Sequence, residues 1–239
     1  MATSGTYSFS MTRDDIAEAA LRLLQVYGIG DPIPPAVLSN VAQALNIFCQ
    51  SLVKRGLFLW CVQDISIPMV AGQAAYQIGP LTGQPRPLRI MDAYLRDSTG
   101  NDVGLTITSR YDYDTLGQKS SAGIPNQLFY DPQLSNGIVT LYNVPVDSSH
   151  TMHAVIQRPF QDFNAGADNP DFPPEALQML KWGLADEISL EQGARDTIID
   201  RVATRAARYM EEFCSYQQEQ CSVFFTPSQQ MPSNAGGSC

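Results

Sequence analysis

The sequence predicts an α+β fold: a four-helix bundle built from N- and C-terminal segments, an inserted antiparallel β domain of sandwich or small-barrel type, and an extended C-terminal tail. Three observations carry this reading. Leu177, Leu180, Leu184 and Ile188 recur at helical spacing, so residues 173–191 form a helix with one face to bury. Only residues 12–27, 35–55 and 194–216 offer comparable stripes, and helices with a single apolar side bury those sides against one another. The stretch between them alternates aromatic and β-branched residues with polar ones and is broken by Pro, Gly, Asn and Asp, which is a pattern of strands and turns. The divisions that follow are an N-terminal arm at 1–11, a bundle at 12–57 and 173–216, a β insert with its linker at 58–172, and a tail at 217–239.

Taken in order, residues 1–11 are rich in Ser, Thr and Gly, with Tyr7 and Phe9 as the aromatic exceptions, and read as an arm. Thr12 and Asp15 form a capping box, Asp14 and Asp15 suit the positive end of the helix dipole, and Ile16, Ala19, Ala20, Leu23 and Leu24 make the stripe. Gly28 is the expected stop. After a loop at 29–34, a second helix aligns Leu38, Val41, Ala42, Leu45, Phe48, Cys49 and Leu52 on one face and ends at Gly56. The short connection predicts an antiparallel hairpin.

From residue 57 the period changes. Strands are predicted at 59–67, 76–78, 88–97, 103–108, 127–130, 137–142 and 152–158, separated by turns such as Ser98-Thr99-Gly100-Asn101. Residues 109–116 suit one helical turn with a Ser cap, closed by Gly117. About seven short strands at this spacing are typical of a sandwich or small barrel. Residues 162–174, with Asn164, Gly166, Asn169 and Pro170, form the linker back to the helices. Pro173 and Pro174 fix the backbone at the entry to the third helix.

The last helix places Ile199, Val202, Ala203, Ala206, Met210 and Phe213 on its buried side and Arg201, Arg205 and Arg208 on another. The arginines read either as a solvated face paired with Asp200, Glu211 and Glu212 or as a surface for an acidic partner. Beyond Tyr216 the chain is Gln-, Ser-, Pro- and Gly-rich, interrupted by Val223, Phe224, Phe225 and Met231. So few apolar groups cannot offset the entropy of ordering about twenty residues at ~1–2 kcal/mol each, so Phe224, Phe225 and Met231 are the expected contacts with a partner groove.

Composition narrows the function classes. Fifteen Lys plus Arg against 24 Asp plus Glu give a net charge of −9, which argues against a protein that grips phosphates over a broad surface. Residues 1–15 lack the apolar core of a signal peptide, and no apolar run approaches the roughly 18 residues of a membrane span, so a soluble chain is expected. Cys49, Cys61, Cys214, Cys221 and Cys239 are odd in number and include no Cys-x-x-Cys pair, which supports neither a disulfide scaffold nor a zinc site.

Candidate chemistry is sparse. His150 and His153 are the only histidines, lie on a turn and the following strand, and have no accompanying Cys or carboxylate motif for a metal. Asp112 and Asp114 face apart on a helix or a strand, so they do not make the carboxylate pair of a hydrolase. No phosphate-binding loop, dinucleotide fingerprint or nucleophile elbow is present. The expectation is a non-enzyme with no catalytic residues, no cofactor and no metal.

Spaced positions from about residue 12 to 213 carry a resemblance. They are Leu23-Leu24, Gly56-Leu57, the run Val70-Ala71-Gly72-Gln73-x-x-Tyr76-x-Ile78-Gly79, and Arg86-Pro87-x-x-Ile90-x-x-Ala93. They continue with Tyr113-x-x-Leu116, Gly123-x-Pro125, Phe129-Tyr130-Asp131, Leu141-Tyr142-x-x-Pro145 and Phe172-Pro173-Pro174-Glu175. In this order the chain resembles the head-to-tail adaptor (connector, or tail tubular) proteins of short-tailed phages. The tail after Tyr216 has no counterpart.

The resemblance implies a structural virion protein at the head-tail interface, assembled in the host cytoplasm as a dodecameric homo-oligomeric ring. Such a ring docks under the portal protein, continues the DNA channel, lets DNA pass without specific binding, and carries the tail nozzle or fibre protein. On this reading the portal is the partner of Phe224, Phe225 and Met231, and portal or neighbouring subunit is the partner of Arg201, Arg205 and Arg208. No membrane contact is implied. The alternatives are a virion-associated peptidoglycan hydrolase and a carbohydrate-binding β module on a helical stalk.

Overall fold

The computed structural model describes residues 5–7, 9–56 and 58–216 and has a mixed α+β architecture. Helix α1 (Arg13–Leu23) begins on the predicted capping box: the Asp15 amide donates to Thr12 Oγ1 at 3.2 Å and the Thr12 amide to Asp15 Oδ2 at 3.0 Å. It ends at Leu23, five residues before the expected stop at Gly28. Gln25 takes a left-handed conformation, φ 57°, and its amide turns back to the Arg22 carbonyl, which closes the helix early. Helix α2 (Pro35–Leu52) starts on Pro35 and buries Val41, Ala42, Leu45, Phe48, Cys49 and Leu52, as its stripe predicts.

Helix α2 with its following turn, Pro35–Arg55, is 21 residues long with a mean hydropathy of 1.3. By length and composition it is apolar enough to cross a membrane, although Ser, Asn and Gln interrupt it so that it holds no unbroken apolar run of that length. The polar residues that interrupt it hide its overall hydropathy from a search for unbroken runs. Two of them are used internally: Asn46 exchanges hydrogen bonds with the backbone of Phe163 at 3.0 and 2.9 Å, and Gln50 donates to Asp162 at 2.8 Å.

The strand expected at 59–67 is shorter. Residues Leu59–Cys61 form a 3₁₀ turn, closed by the Cys61 amide on the Phe58 carbonyl, and strand β1 (Val62–Pro68) follows. The turn lets Trp60 Nε1 donate to the Asp171 carbonyl at 2.9 Å, a tertiary contact that overrides the local alternation. The remaining strands are β2 (Ala75–Ile78), β3 (Arg89–Arg96), β4 (Asp102–Gly104) and β5 (Thr106–Thr108). Helix α3 (Arg110–Thr115) follows, then β6 (Ala122–Gly123), β7 (Gln127–Pro132), β8 (Gly137–Tyr142), β9 (Val144–Pro145) and β10 (Thr151–Gln157). Helix α3 is the predicted turn, with Ser109 Oγ accepting from the Asp112 amide.

The strands make two four-stranded sheets, ordered β1-β10-β3-β4 and β2-β8-β7-β5, and the short pair β6-β9. The first sheet is antiparallel throughout. The second is mixed, because β5 runs parallel to β7, and β6 and β9 are also parallel, so the all-antiparallel expectation is corrected. The cause lies in the connection from β5 through α3, which returns the chain to the same edge in the same direction. Ile65, Ile90, Leu95, Met152 and Ile156 of the first sheet share one buried cluster with Tyr76, Ile78, Leu128, Val139 and Leu141 of the second.

A 3₁₀ turn at Pro174–Ala176 precedes helix α4 (Leu177–Ile188), and helix α5 (Asp196–Tyr216) completes the described chain. Helix α4 touches α1, α2 and α5, and all four residues of its predicted stripe are buried in a second cluster. That cluster also takes in Phe58, Cys61, Phe160 and Phe163 from the segments that enter and leave the β region. Phe58, Trp60, Phe160, Phe172 and Phe213 stack in successive pairs with centroids 4.4 to 6.2 Å apart, joining those segments to the end of α5. The linker is pinned as well: the Arg13 amide donates to the Asp168 carbonyl at 2.8 Å and the Asp14 amide to the Gly166 carbonyl at 3.2 Å.

Candidate interaction surfaces

Helix α5 presents two flanks to its surroundings. Arg201, Arg205 and Arg208 are exposed along one of them, as their spacing predicts. They are not equivalent. Arg205 lies with Cζ 5.2 Å from the centroid of the Trp182 ring, and Arg208 Nε bonds Glu212 Oε1 at 2.7 Å one helical turn on. Arg201 makes no ion pair or hydrogen bond among the described residues. Of the acidic partners expected on a solvated face, Glu212 alone is engaged. Beneath Arg205, Trp182 Nε1 is buried with no acceptor among the described residues.

The opposite flank of α5 meets α2 and α4 in a groove of about 400 Å³. Its floor is Phe48, Gly183, Ala206 and Met210, all buried, and its rim carries exposed Arg55, Asp186, Glu187 and Glu211. The groove exists because α4 approaches α2 at Gly183, where an added Cβ would collide with Phe48 Cζ. None of the rim's charged groups makes an ion pair among the described residues. Burial pushes the Asp186 carboxyl up from its ordinary value.

A second groove of about 280 Å³ runs beside the end of α5, lined by Met179, Tyr209, Phe213 and Tyr216. The predicted contacts Phe224, Phe225 and Met231 lie outside the described residues.

The β region offers a third surface at the end away from the helices, where β1 ends and β10 begins. The Gly72 amide donates to the Pro145 carbonyl at 2.8 Å, the Met69 amide to the His150 carbonyl at 3.1 Å, and the Val144 amide to the Ser121 carbonyl at 2.9 Å. These bonds gather three loops into a rim that exposes Val70 (49%), Ile124 (56%) and Val146 (54%). Three half-exposed apolar side chains on neighbouring, well-bonded loops make this rim a candidate contact surface. Asp147 and Asp97 bond these and neighbouring loops internally. Ser149 holds the Asp147 carboxyl below its ordinary value, and Thr99 and Asn101 do the same for Asp97.

The residues with chemical potential are separated. His150 lies 3.6 Å from Asp147, whereas His153 stacks on Tyr94 with centroids 4.9 Å apart and lies 3.5 Å from Asp64. Asp112 bonds Ser109 Oγ at 2.6 Å, at the cap of α3. Burial pushes the Cys49 thiol up to about 12 and the Cys61 thiol up to about 11, which leaves both poor nucleophiles. Among the described residues no three His, Cys, Asp or Glu side chains converge as a metal set.

Sequence reasoning found the arginine flank but missed the groove and the rim. Asp186, Glu187 and Glu211 read as charge on solvated faces, and only the interhelical approach at Gly183 assembles them. Val70, Ile124 and Val146 are separated by up to 76 positions, so no local pattern groups them. No family model matches the chain, and no curated protein matches it.

Proposed function

We propose that this chain is a head-to-tail adaptor of a short-tailed phage, a structural virion subunit of a dodecameric ring. The four long helices act as one bundle that meets the portal protein, and the β region carries the tail nozzle or fibre protein. The observation that carries the reading is the placement of exposed surfaces in two separate regions of one chain: the groove of Met179, Tyr209, Phe213 and Tyr216 among the helices, and the rim of Val70, Ile124 and Val146 at the far end of the sheets. A protein that joins two different partners needs two such surfaces held at a fixed separation, and the aromatic stack and pinned linker supply the fixed join.

The net charge of −9 fits a ring whose lumen passes DNA without holding it. The order of spaced motifs from Leu23-Leu24 to Phe172-Pro173-Pro174-Glu175 supports the same family. The test is electron microscopy and mass measurement of the purified chain mixed with portal rings from the same virion. A stoichiometric ring seated on the portal is expected. Absence of binding, or clearing of a cell-wall suspension by the chain alone, would overturn the reading, the latter in favour of a peptidoglycan hydrolase.

A further inference from the structure

The geometry points to a head-to-tail contact between copies of this chain, in which Arg201, Arg205 and Arg208 of one copy enter the groove of the next copy between Asp186, Glu187 and Glu211. This rests on the ring proposed above and names the surfaces that would close it.

The two surfaces complement each other in charge. The groove rim carries three carboxylates and one guanidinium, all without ion pairs among the described residues, and the arginine flank carries three guanidinium groups of which one has a carboxylate partner. Among the described residues, Arg55 is the rim's one cation and Glu212 the flank's one paired carboxylate, so each surface carries an excess of the charge that complements the other. They also match in shape. Gly183, Ala203, Ala206 and Ala207 keep the groove walls low, and the floor of Phe48 and Met210 is apolar, which suits the methylene stems of arginine side chains with the heads at the rim.

The two surfaces also point in different directions. At about 100° per residue, the flank of Ala203, Ala207 and Glu211 and the flank of Arg201, Arg205 and Arg208 point roughly 130° apart around α5. Surfaces about 130° apart do not fall within one self-complementary patch, so their contact is heterologous and passes from copy to copy, closing as a ring where the rotation between copies allows it. Burial already disfavours the charged form of Asp186, and an arriving guanidinium would relieve that cost.

The test uses the full-length chain and reads assembly by sedimentation velocity and native mass spectrometry. One variant reverses the flank (R201E/R205E/R208E) and another reverses the groove (D186K/E187K/E211K). Each alone is expected to weaken self-association at least about tenfold, because like charges then face each other at every contact. An equimolar mixture is expected to restore assembly, with the two variants alternating. Because Arg205 and Arg208 also have contacts within the chain, the pair R201E and E211K, at positions without side-chain partners among the described residues, repeats the experiment with little risk to folding; circular dichroism checks each protein.

Rings from either reversed variant at wild-type concentration would overturn the contact, as would a folded mixture that stays dissociated or a wild type that is monomeric at all concentrations. A groove variant that still forms rings but no longer binds the portal would assign the groove to the portal instead and also overturn it. The two readings fail separately. A wild-type ring that ignores the portal defeats the adaptor reading, whereas portal-bound rings of the reversed variants defeat this contact alone.

Discussion

Arg158 at the end of β10 holds Asp171 with both terminal nitrogens of its guanidinium, Nη2 lying 2.9 Å from Oδ1 and Nη1 bonding Oδ2. Both side chains are 17% exposed, and the Asp171 carbonyl also accepts from Trp60 Nε1. One residue thus ties the exit of the β region, its entry and the linker to α4. Replacing Asp171 by Ala leaves a largely buried guanidinium unpaired, and a loss of about 2–3 kcal/mol is expected, measured by urea unfolding. Asp171→Asn, which keeps the shape and part of the bonding, should lose less.

Gly183→Ala tests the approach of α4 to α2. Ala is favoured over Gly in a helix by about 1 kcal/mol, but the new methyl collides with Phe48. Overpacking of this kind costs ~1–3 kcal/mol, so net destabilisation is expected. A raised thermal midpoint would show that the ring of Phe48 moves aside freely.

Acid stability follows from carboxylates that accept loop and cap hydrogen bonds. Asp168 accepts from the Ala165 and Asn164 amides, Asp147 from Ser149, Asp97 from Thr99 and Asn101, and Asp15 from Thr12; all four are held below the ordinary value of 3.8. A depressed folded-state pKa gives stability that is complete above the unfolded value and disappears as pH falls through the folded one. The thermal midpoint should therefore be insensitive to these groups above about pH 5 and fall below about pH 4. Asp186, raised by burial, acts in the opposite sense: its penalty is present when ionised and vanishes on acidification. Midpoints recorded from pH 2 to 8 for the wild type and Asp168→Asn check the sign.

The exposed rim gives a prediction on tail attachment. V70D/I124D/V146D should leave the fold and portal binding intact, since all three side chains are about half exposed, and should abolish recruitment of the nozzle or fibre. Loss of portal binding by the folded triple variant would place the portal at this end.

Truncation after Tyr216 removes Phe224, Phe225 and Met231. Folding should be unaffected, while retention on portal rings should weaken, most visibly at low protein concentration, because many weak tethers in one ring act through effective concentration. Proteolysis within 217–239 that is equally fast with and without portal would show that these residues are not the anchor.

In α1 the expected stripe was offset, since Ala17 and Leu21 are buried and Ala19 and Leu23 only half-buried. By itself the sequence determined the buried stripes of α2 and α4, the Thr12 capping box, the Ser109 cap and the β character of the middle of the chain. Each depends on neighbours within about four positions, where side-chain period and cap chemistry act directly. Tertiary structure alone decided that Leu59–Cys61 turns before β1 and that β5 and β7 run parallel. It also decided the surfaces. Arg201, Arg205 and Arg208 were legible because one helix spaces them. The groove needed Gly183 to bring Phe48 against α4, and the rim needed backbone bonds between loops far apart in sequence. Contacts of that kind are set by which surfaces the chain buries together, and no local spacing encodes them.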